Sequence, residues 1–301
     1  MQTIREWLNG YMDLLRINRA YKTIEQYERL MRLHILPAIG DKQLDEVTPM
    51  AIDALCGRIM AEGHARTAQQ VFGLLKAAYR RAMRYDMVDR SPLDRAEPVR
   101  HKAAQTRCWT TAQAARFLEA TRDSSYHAAW VLMLCCGLRR GEVLGLQKQD
   151  IDFDRMEIRI ERQRIRIHGE LIETAPKSES SCTAIPMDAA VAARLAAVAR
   201  FRRCGEYLYP FATPDSLRRA LQRDTVRAGL PRITLHGLRH TFGAVATGHG
   251  IPMRVLQELM RHADYSTTAR TYAHVEQQTL QGAAQELARL TLNQGVPGSS
   301  P

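Results

Sequence analysis

No apolar run in this 301-residue chain is long enough to cross a membrane. The longest, Ala128 to Leu138, falls well short of the roughly 20 residues that a span requires, and it reads as a buried helix stopped by Gly137. The first residues, Met1-Gln2-Thr3-Ile4-Arg5-Glu6, carry no apolar signal segment. The six cysteines include no C-x-x-C pair. They read as reduced core or incidental thiols, and a cytoplasmic location is expected. No internal repeat is visible. Two metal motifs each lack one essential residue. His236 and His240 have the spacing of a zinc-protease helix, but Gly237 stands where the catalytic glutamate is required. Asp150, Asp152, Asp154 and Glu161 fall at the first, third, fifth and twelfth positions of a calcium loop. The sixth is Arg155, not the glycine that the turn demands. No metal is expected.

Positive charge is abundant. Lys and Arg number 43 against 32 Asp and Glu, a net charge of +11. Such an excess fits a densely negative partner such as nucleic acid. Residues 1–100 hold 16 basic and 13 acidic side chains, and the remainder holds 27 and 19, so the charge leans toward the later part.

The first third has a helical pattern. Ile4, Trp7, Leu8, Tyr11, Leu14 and Leu15 recur at three and four residues. Thr23-Ile24-Glu25-Gln26 fits a capping box, and Pro37 and Gly40 are expected to break the next segment. Thr48-Pro49 opens a further helix with Ile52, Leu55 and Ile59 inside, and Val71, Leu74, Leu75, Ala78 and Ala82 define another. Lys76, Arg80, Arg81 and Arg84 lie between these apolar positions, where a solvated face is the simplest account. Pro92, Pro98 and the polar stretch Arg95 to Arg107 read as a linker. Thr110-Thr111-Ala112-Gln113 starts a new helix. From Asp152 to Met187 the period changes to two, which predicts a small antiparallel sheet with a hairpin. Helices resume at Asp188 and run to about Leu292. Arg219, Arg223 and Arg227 form one basic stripe suited to a phosphate backbone or to solvent. Gln281 to Leu292 forms a last amphipathic helix. Residues 293–301 form a Gly/Pro/Ser tail expected to be disordered. The fold class is mainly α with a small antiparallel β-sheet.

Four short segments carry the chemistry: Gly137-Leu138-Arg139-Arg140-Gly141-Glu142, Leu235-His236-Gly237-Leu238-Arg239-His240, Met260-Arg261-His262 and Thr271-Tyr272-Ala273-His274-Val275. Taken singly each is unremarkable: Arg139 fits a helix salt bridge to Glu142, and His236 a satisfied core histidine. Two arginines, two histidines and a tyrosine in this order resemble the tyrosine recombinase (phage integrase) family. Metal-free cleavage of a phosphodiester needs such a set. A tyrosine of pKa about 10 needs help to ionise at neutral pH. Arginine offers a planar fork of permanent charge to the phosphate oxygens.

The resemblance covers about Thr3 to Leu292 and implies a two-domain tyrosine recombinase (DNA breaking-rejoining enzyme) fold. A helical, SAM-like core-binding domain would occupy 1–95, a linker 96–107 and a catalytic integrase domain 108–292. By resemblance, Tyr272 is the nucleophile, while Arg139, Arg239 and His262 stabilise the phosphate. His236 helps accept the tyrosine proton, Glu142 supports Arg139, and Lys177 in the hairpin is the general acid, with Lys148 the other lysine to consider. Lys76, Arg80, Arg84, Arg219, Arg223 and Arg227 are candidate DNA contacts.

The implied activity is site-specific recombination through a 3′-phosphotyrosyl bond, for integration or excision of a mobile element, with no cofactor. Its partners would be double-stranded attachment sites, a homo-tetramer on DNA with the final helix exchanged between protomers, and an excisionase or other DNA-bending accessory. No membrane is involved. A type IB topoisomerase-like enzyme and a non-catalytic DNA-binding regulator with the same fold are the alternatives. No upstream arm-binding domain, which larger integrases often carry, is visible before Thr3. The sequence departs from the family at Arg261, where glycine is usual. The larger side chain must change the turn beside His262, adding a phosphate contact or perturbing the site. Cys136 replaces a usual threonine, and Cys182 and Thr183 replace hairpin residues that are often basic.

Overall fold

A computed structural model describes residues 2–101, 107–175 and 184–261. The chain divides into two compact units, Met1–Gln105 and Thr106–Pro301. It is mainly helical with small antiparallel sheets. Among the described residues no helix is long and apolar enough to cross a membrane, and no cluster of three His, Cys, Asp or Glu side chains could hold a metal ion.

The first unit is helical. Helix α1 (Ile4–Asn18) starts at a capping box in which the Thr3 hydroxyl accepts from the Glu6 N–H and the Glu6 carboxylate accepts from the Thr3 N–H. Helix α2 (Tyr21–Leu30) begins earlier than the Thr23 capping box predicts. The Thr23 N–H already donates to the Ala20 carbonyl, so Thr23 lies inside the first turn rather than capping it. Pro37 does not break the chain as expected. A π-turn at Met31–Ile35 leads directly into α3 (Leu36–Ile39), and the Leu36 N–H reaches back to the Met31 carbonyl. The wider turn accommodates the proline that would otherwise lack its helical partner. Helix α4 (Pro49–Ala61) is capped by Thr48, with proline in its first turn, and α5 (Ala65–Arg84) follows. Ile4, Leu8, Ile35, Ile52, Ile59, Val71 and Leu75 fill the core. The Tyr79 hydroxyl donates to the Leu44 carbonyl at 2.9 Å inside it. Ala96 is buried in the same core, and the Glu97 N–H donates to Asp53 at 2.8 Å, so the polar stretch after Arg95 starts as part of this unit.

The second unit opens with α6 (Thr111–Ala120), whose capping box joins Thr110 and Gln113. Next come α7 (His127–Cys135) and the short α8 (Arg140–Gly145). Strands β1 (Ile151–Asp152), β2 (Glu157–Arg159), β3 (Gln163–Ile167), β4 (Glu170–Thr174) and β5 (Ala184–Pro186) follow. The alternation from Asp152 to Met187 predicts one sheet; the strands form two. β1, β2 and β5 make an antiparallel three-stranded sheet, and β3–β4 is a separate hairpin. The hairpin turns through His168 and Gly169, both at positive φ, the backbone that a two-residue connection between twisted strands requires. Helices α9 (Ala189–Ala199), α10 (Pro214–Arg227), α11 (Leu235–Gly248) and α12 (Met253–Met260) complete the described chain. Phe117, Trp130, Leu132, Leu138, Leu144, Leu195, Leu217 and Leu238 form the core. Asp224 is buried among them and accepts from Trp130 Nε1 at 2.9 Å and from the Ser124 hydroxyl at 2.6 Å.

The four carboxylates at calcium-loop spacing do not form a loop. Asp150 is buried and accepts from Arg162, Asp152 accepts from the Arg155 N–H and from Arg159, and strands β1 and β2 run through the segment.

Candidate active site

The site is assembled where α7 ends. Helix α7 stops at Gly137, whose φ of 63° is left-handed, and the Leu138 N–H returns to the Leu132 carbonyl at 3.1 Å. A Cβ at Gly137 would lie 2.7 Å from the Phe242 ring, so space and conformation both require glycine. The turn sends Leu138 into the core and makes Arg139 the residue that caps α8.

Glu142, on the first turn of α8, binds Arg139 twice. Its carboxylate accepts from the Arg139 backbone N–H and from Arg139 Nη1, each at 2.8 Å. Glu142 is only 2% exposed. Burial pushes its carboxyl pKa up, but Arg261 and Arg139 outweigh that cost and hold it below the usual carboxylate value. Arg139 Nη2 donates to the Arg261 carbonyl at 2.9 Å. The Arg139 side chain remains 34% exposed. Two of the five N–H bonds of its guanidinium thus have partners within the fold.

Arg239, on α11, lies deeper, at 1% exposure. Its two terminal nitrogens donate to the carbonyls of Gly137 and Met260. Both motif arginines therefore end on the last turn of α12, at neighbouring carbonyls. His236 and Arg239 are three apart and are expected to face the same way. They fall on either side of the edge of the buried face of α11 instead: His236 is exposed and Arg239 buried, as the roughly 60° between such positions on a helix allows. Surrounding protein and then the guanidiniums of Arg239, Arg139 and Arg140 lower the His236 pKa, which keeps the ring neutral at pH 7. The His240 ring stands edge-on to it, with centroids 4.3 Å apart. Burial, His236 and Arg239 push His240 down to about 4. A glutamate at position 237, the residue missing from the zinc motif, would not fit: a Cβ there would sit 2.5 Å from Ile233.

The hairpin is held against α8 by two bare α-carbons. A Cβ at Gly145 would lie 2.9 Å from the Arg162 carbonyl oxygen and from Gln163 Cα, and one at Gly141 would lie 3.3 Å from the Arg164 carbonyl oxygen. Gln163 Nε2 donates to the Ala175 carbonyl at 3.1 Å, which ties down the chain leaving β4. Lys177, His262 and Tyr272 lie outside the described residues. Lys148, the other lysine to consider, is part-buried and donates to the Arg202 carbonyl at 2.9 Å, a bond that fixes the chain after α9.

The structure thus brings Arg139, Glu142 and Arg239 together, with His236 beside them. It adds Arg261, whose side chain is buried and faces Glu142 rather than the solvent where a phosphate would bind. The signal for it in the sequence was its presence at a position where glycine is usual.

Among the proposed DNA contacts, Arg80 and Arg84 are exposed on α5 and Lys76 is half-buried. On α10, Arg219 is exposed, Arg223 lies 3.5 Å from Asp224, and Arg227 donates through Nε to the Ala120 carbonyl at 2.9 Å. Arg227 therefore closes the end of α6.

Residues 108–279 match the phage integrase family, and residues 3–56 match the phage integrase N-terminal SAM-like domain. The chain belongs to the phage integrase family; it is a tyrosine recombinase. It is 23% identical over 305 residues to a XerC-like tyrosine recombinase of Caldanaerobacter subterraneus subsp. tengcongensis, covering 89% of this chain and 77% of that one. The integrase of transposon Tn1549, solved in complex with a circular intermediate DNA, shares the fold at a TM-score of 0.81 and 24% identity, over 96% of this chain and 100% of that chain. A lambda integrase tetramer bound to a Holliday junction aligns at 0.68 and 18% identity, over 88% and 79%.

Proposed function

We propose that this recombinase cuts and rejoins double-stranded attachment sites of a mobile element through a covalent bond between Tyr272 and the DNA 3′ phosphate. The Tyr272 oxygen attacks phosphorus, the bond to the 5′ oxygen breaks, and Lys177 gives that oxygen a proton. A 5′ hydroxyl from the partner duplex then attacks the phosphotyrosine and releases the tyrosine. One ester is exchanged for another, so no nucleotide cofactor enters the balance. Arg139 donates remaining guanidinium N–H bonds to the non-bridging oxygens, Arg239 and His262 add positive charge, and neutral His236 accepts the tyrosine proton.

The observation that carries this reading is Arg139 itself. Its guanidinium is fixed by Glu142 and by the Arg261 carbonyl, yet the side chain remains one-third exposed. Preorganisation of that kind suits a charge that develops only during reaction.

Residues 1–95 are the core-binding domain on this reading and residues 108–292 the catalytic one, with Lys76, Arg80, Arg84, Arg219, Arg223 and Arg227 as backbone contacts. Strand exchange between two duplexes takes four such sites, hence a homo-tetramer on DNA, as the lambda integrase assembly on a Holliday junction illustrates for that protein. An excisionase or other bending protein would set the direction of reaction, and the enzyme would act in the cytoplasm. The test is a nicked suicide duplex: Tyr272→Phe should bind the site but form no covalent adduct. An adduct that persists in the variant overturns the assignment, and an unmodified chain that binds without cleaving is a regulator.

A further inference from the structure

We propose that Arg261 is a positioning residue for strand cleavage, a buried counter-charge that shares the Glu142 carboxylate with Arg139 and so leaves the cluster around Arg139 more strongly positive toward the phosphate. The inference rests on the reading of Arg139 as a phosphate-binding group.

Arg261 stands in the left-handed region, at φ 53° and ψ 48°, where it ends α12. Glycine adopts this conformation freely, whereas an L side chain is strained in it. An arginine persists there with its side chain wholly buried, so the guanidinium has a task that offsets both strain and desolvation. Nη2 donates to Glu142 Oε2 at 2.5 Å. The same residue's carbonyl accepts from Arg139 Nη2 at 2.9 Å. Arg261 therefore touches the Arg139–Glu142 unit at two places, once with backbone and once with charge.

The carboxylate is divided between two cations. Oε1 serves Arg139 Nη1, while Oε2 serves the Arg139 N–H and Arg261. With Arg139, Arg239 and Arg261 set against Glu142, the cluster holds two positive charges in excess; with glycine at 261 it would hold one. The phosphodiester carries one negative charge at rest and gains a second as the tyrosine oxygen adds to phosphorus. A charge that never touches DNA but strengthens the field at that point acts on the rate of cleavage, not on site affinity.

The experiment measures two quantities on one duplex, equilibrium affinity for the site and the single-turnover rate of adduct formation, for Arg261→Met, Arg261→Lys and Arg261→Gly. Arg261→Gly relieves the backbone and guards against a variant that merely fails to fold. Methionine and glycine should lower the rate about tenfold to hundredfold with affinity within about twofold, and lysine should restore most of the rate. An unchanged rate in the glycine variant, an affinity that falls in step with the rate, or lysine no better than methionine would each overturn the proposal. These outcomes are read against the unmodified chain and Tyr272→Phe. If the first cleaves and the second does not, a flat Arg261 series sinks this inference alone. An unmodified chain that forms no adduct sinks the reading beneath it.

Discussion

Among the described residues of Met1–Gln105 the buried side chains are hydrophobic with Ser91 the polar exception, and ion pairs such as Arg5 with Asp41 and Arg16 with Asp13 and Glu28 lie at the surface. In Thr106–Pro301 the described interior takes in Glu142, Asp150, Asp224, Arg239 and Arg261. Buried ion pairs seldom stabilise a fold relative to apolar packing, because desolvation offsets the attraction. The second unit thus gives up stability to hold charges in fixed positions. The first has no such constraint, and its surface is free to be shaped by whatever it grips.

The sharpest way to break this contrast is to strip a buried charge of its partner. Glu142→Ala leaves Arg261 buried and unpaired and should cost about 3–5 kcal/mol in urea unfolding. Combining it with Arg261→Gly should recover part of the loss. A single-variant cost below about 1 kcal/mol would mean that water reaches the pair and that the two units do not differ in kind.

Acid offers a gentler probe. His240 is held near 4 in the fold against an ordinary 6.5. A base with a depressed folded pKa is protonated first in the unfolded chain. Its contribution is therefore complete above about pH 6.5 and is lost as pH falls toward about 4, on the order of 2 kcal/mol. Thermal unfolding across that window should flatten in His240→Gln. A slope equal to that of the unmodified chain would assign the acid sensitivity elsewhere.

The smallest effect on stability belongs to the first unit. Arg80→Ala or Arg84→Ala should change unfolding by no more than about 0.5 kcal/mol. If each contacts a phosphate, each should also lower the slope of log affinity against log salt by about 0.9. A larger stability loss, with the salt slope intact, would make them structural.

Much of this was legible because local chemistry decides it. Thr48-Pro49, Thr110 with Gln113, and Asp188 each cap a helix, since a short polar side chain there satisfies an amide that the helix leaves open. Thr23 looked equivalent but lies inside α2, because the chain had already turned at Ala20. The separation of the strands into two sheets was not legible: it depends on β3 lying against Gly141 and Gly145, a contact between segments that alternation does not encode. In the site, Arg139 and Glu142 are three residues apart and could be paired on paper. Arg261 is 119 residues from Glu142, and neither periodicity nor charge count brings them together.

Arg227 has a practical bearing on any attempt to retarget this enzyme. A mutant library on α10 would naturally treat the stripe Arg219, Arg223 and Arg227 as three equivalent letters. They are not equivalent, because Arg227 is spoken for by the exposed carbonyl at the end of α6. Randomising it would loosen a helix remote in sequence and depress yield across the library, and selection would then favour arginine at 227 for solubility rather than for recognition. Diversity placed at Arg219, exposed on the same helix, would instead test whether that position contacts DNA.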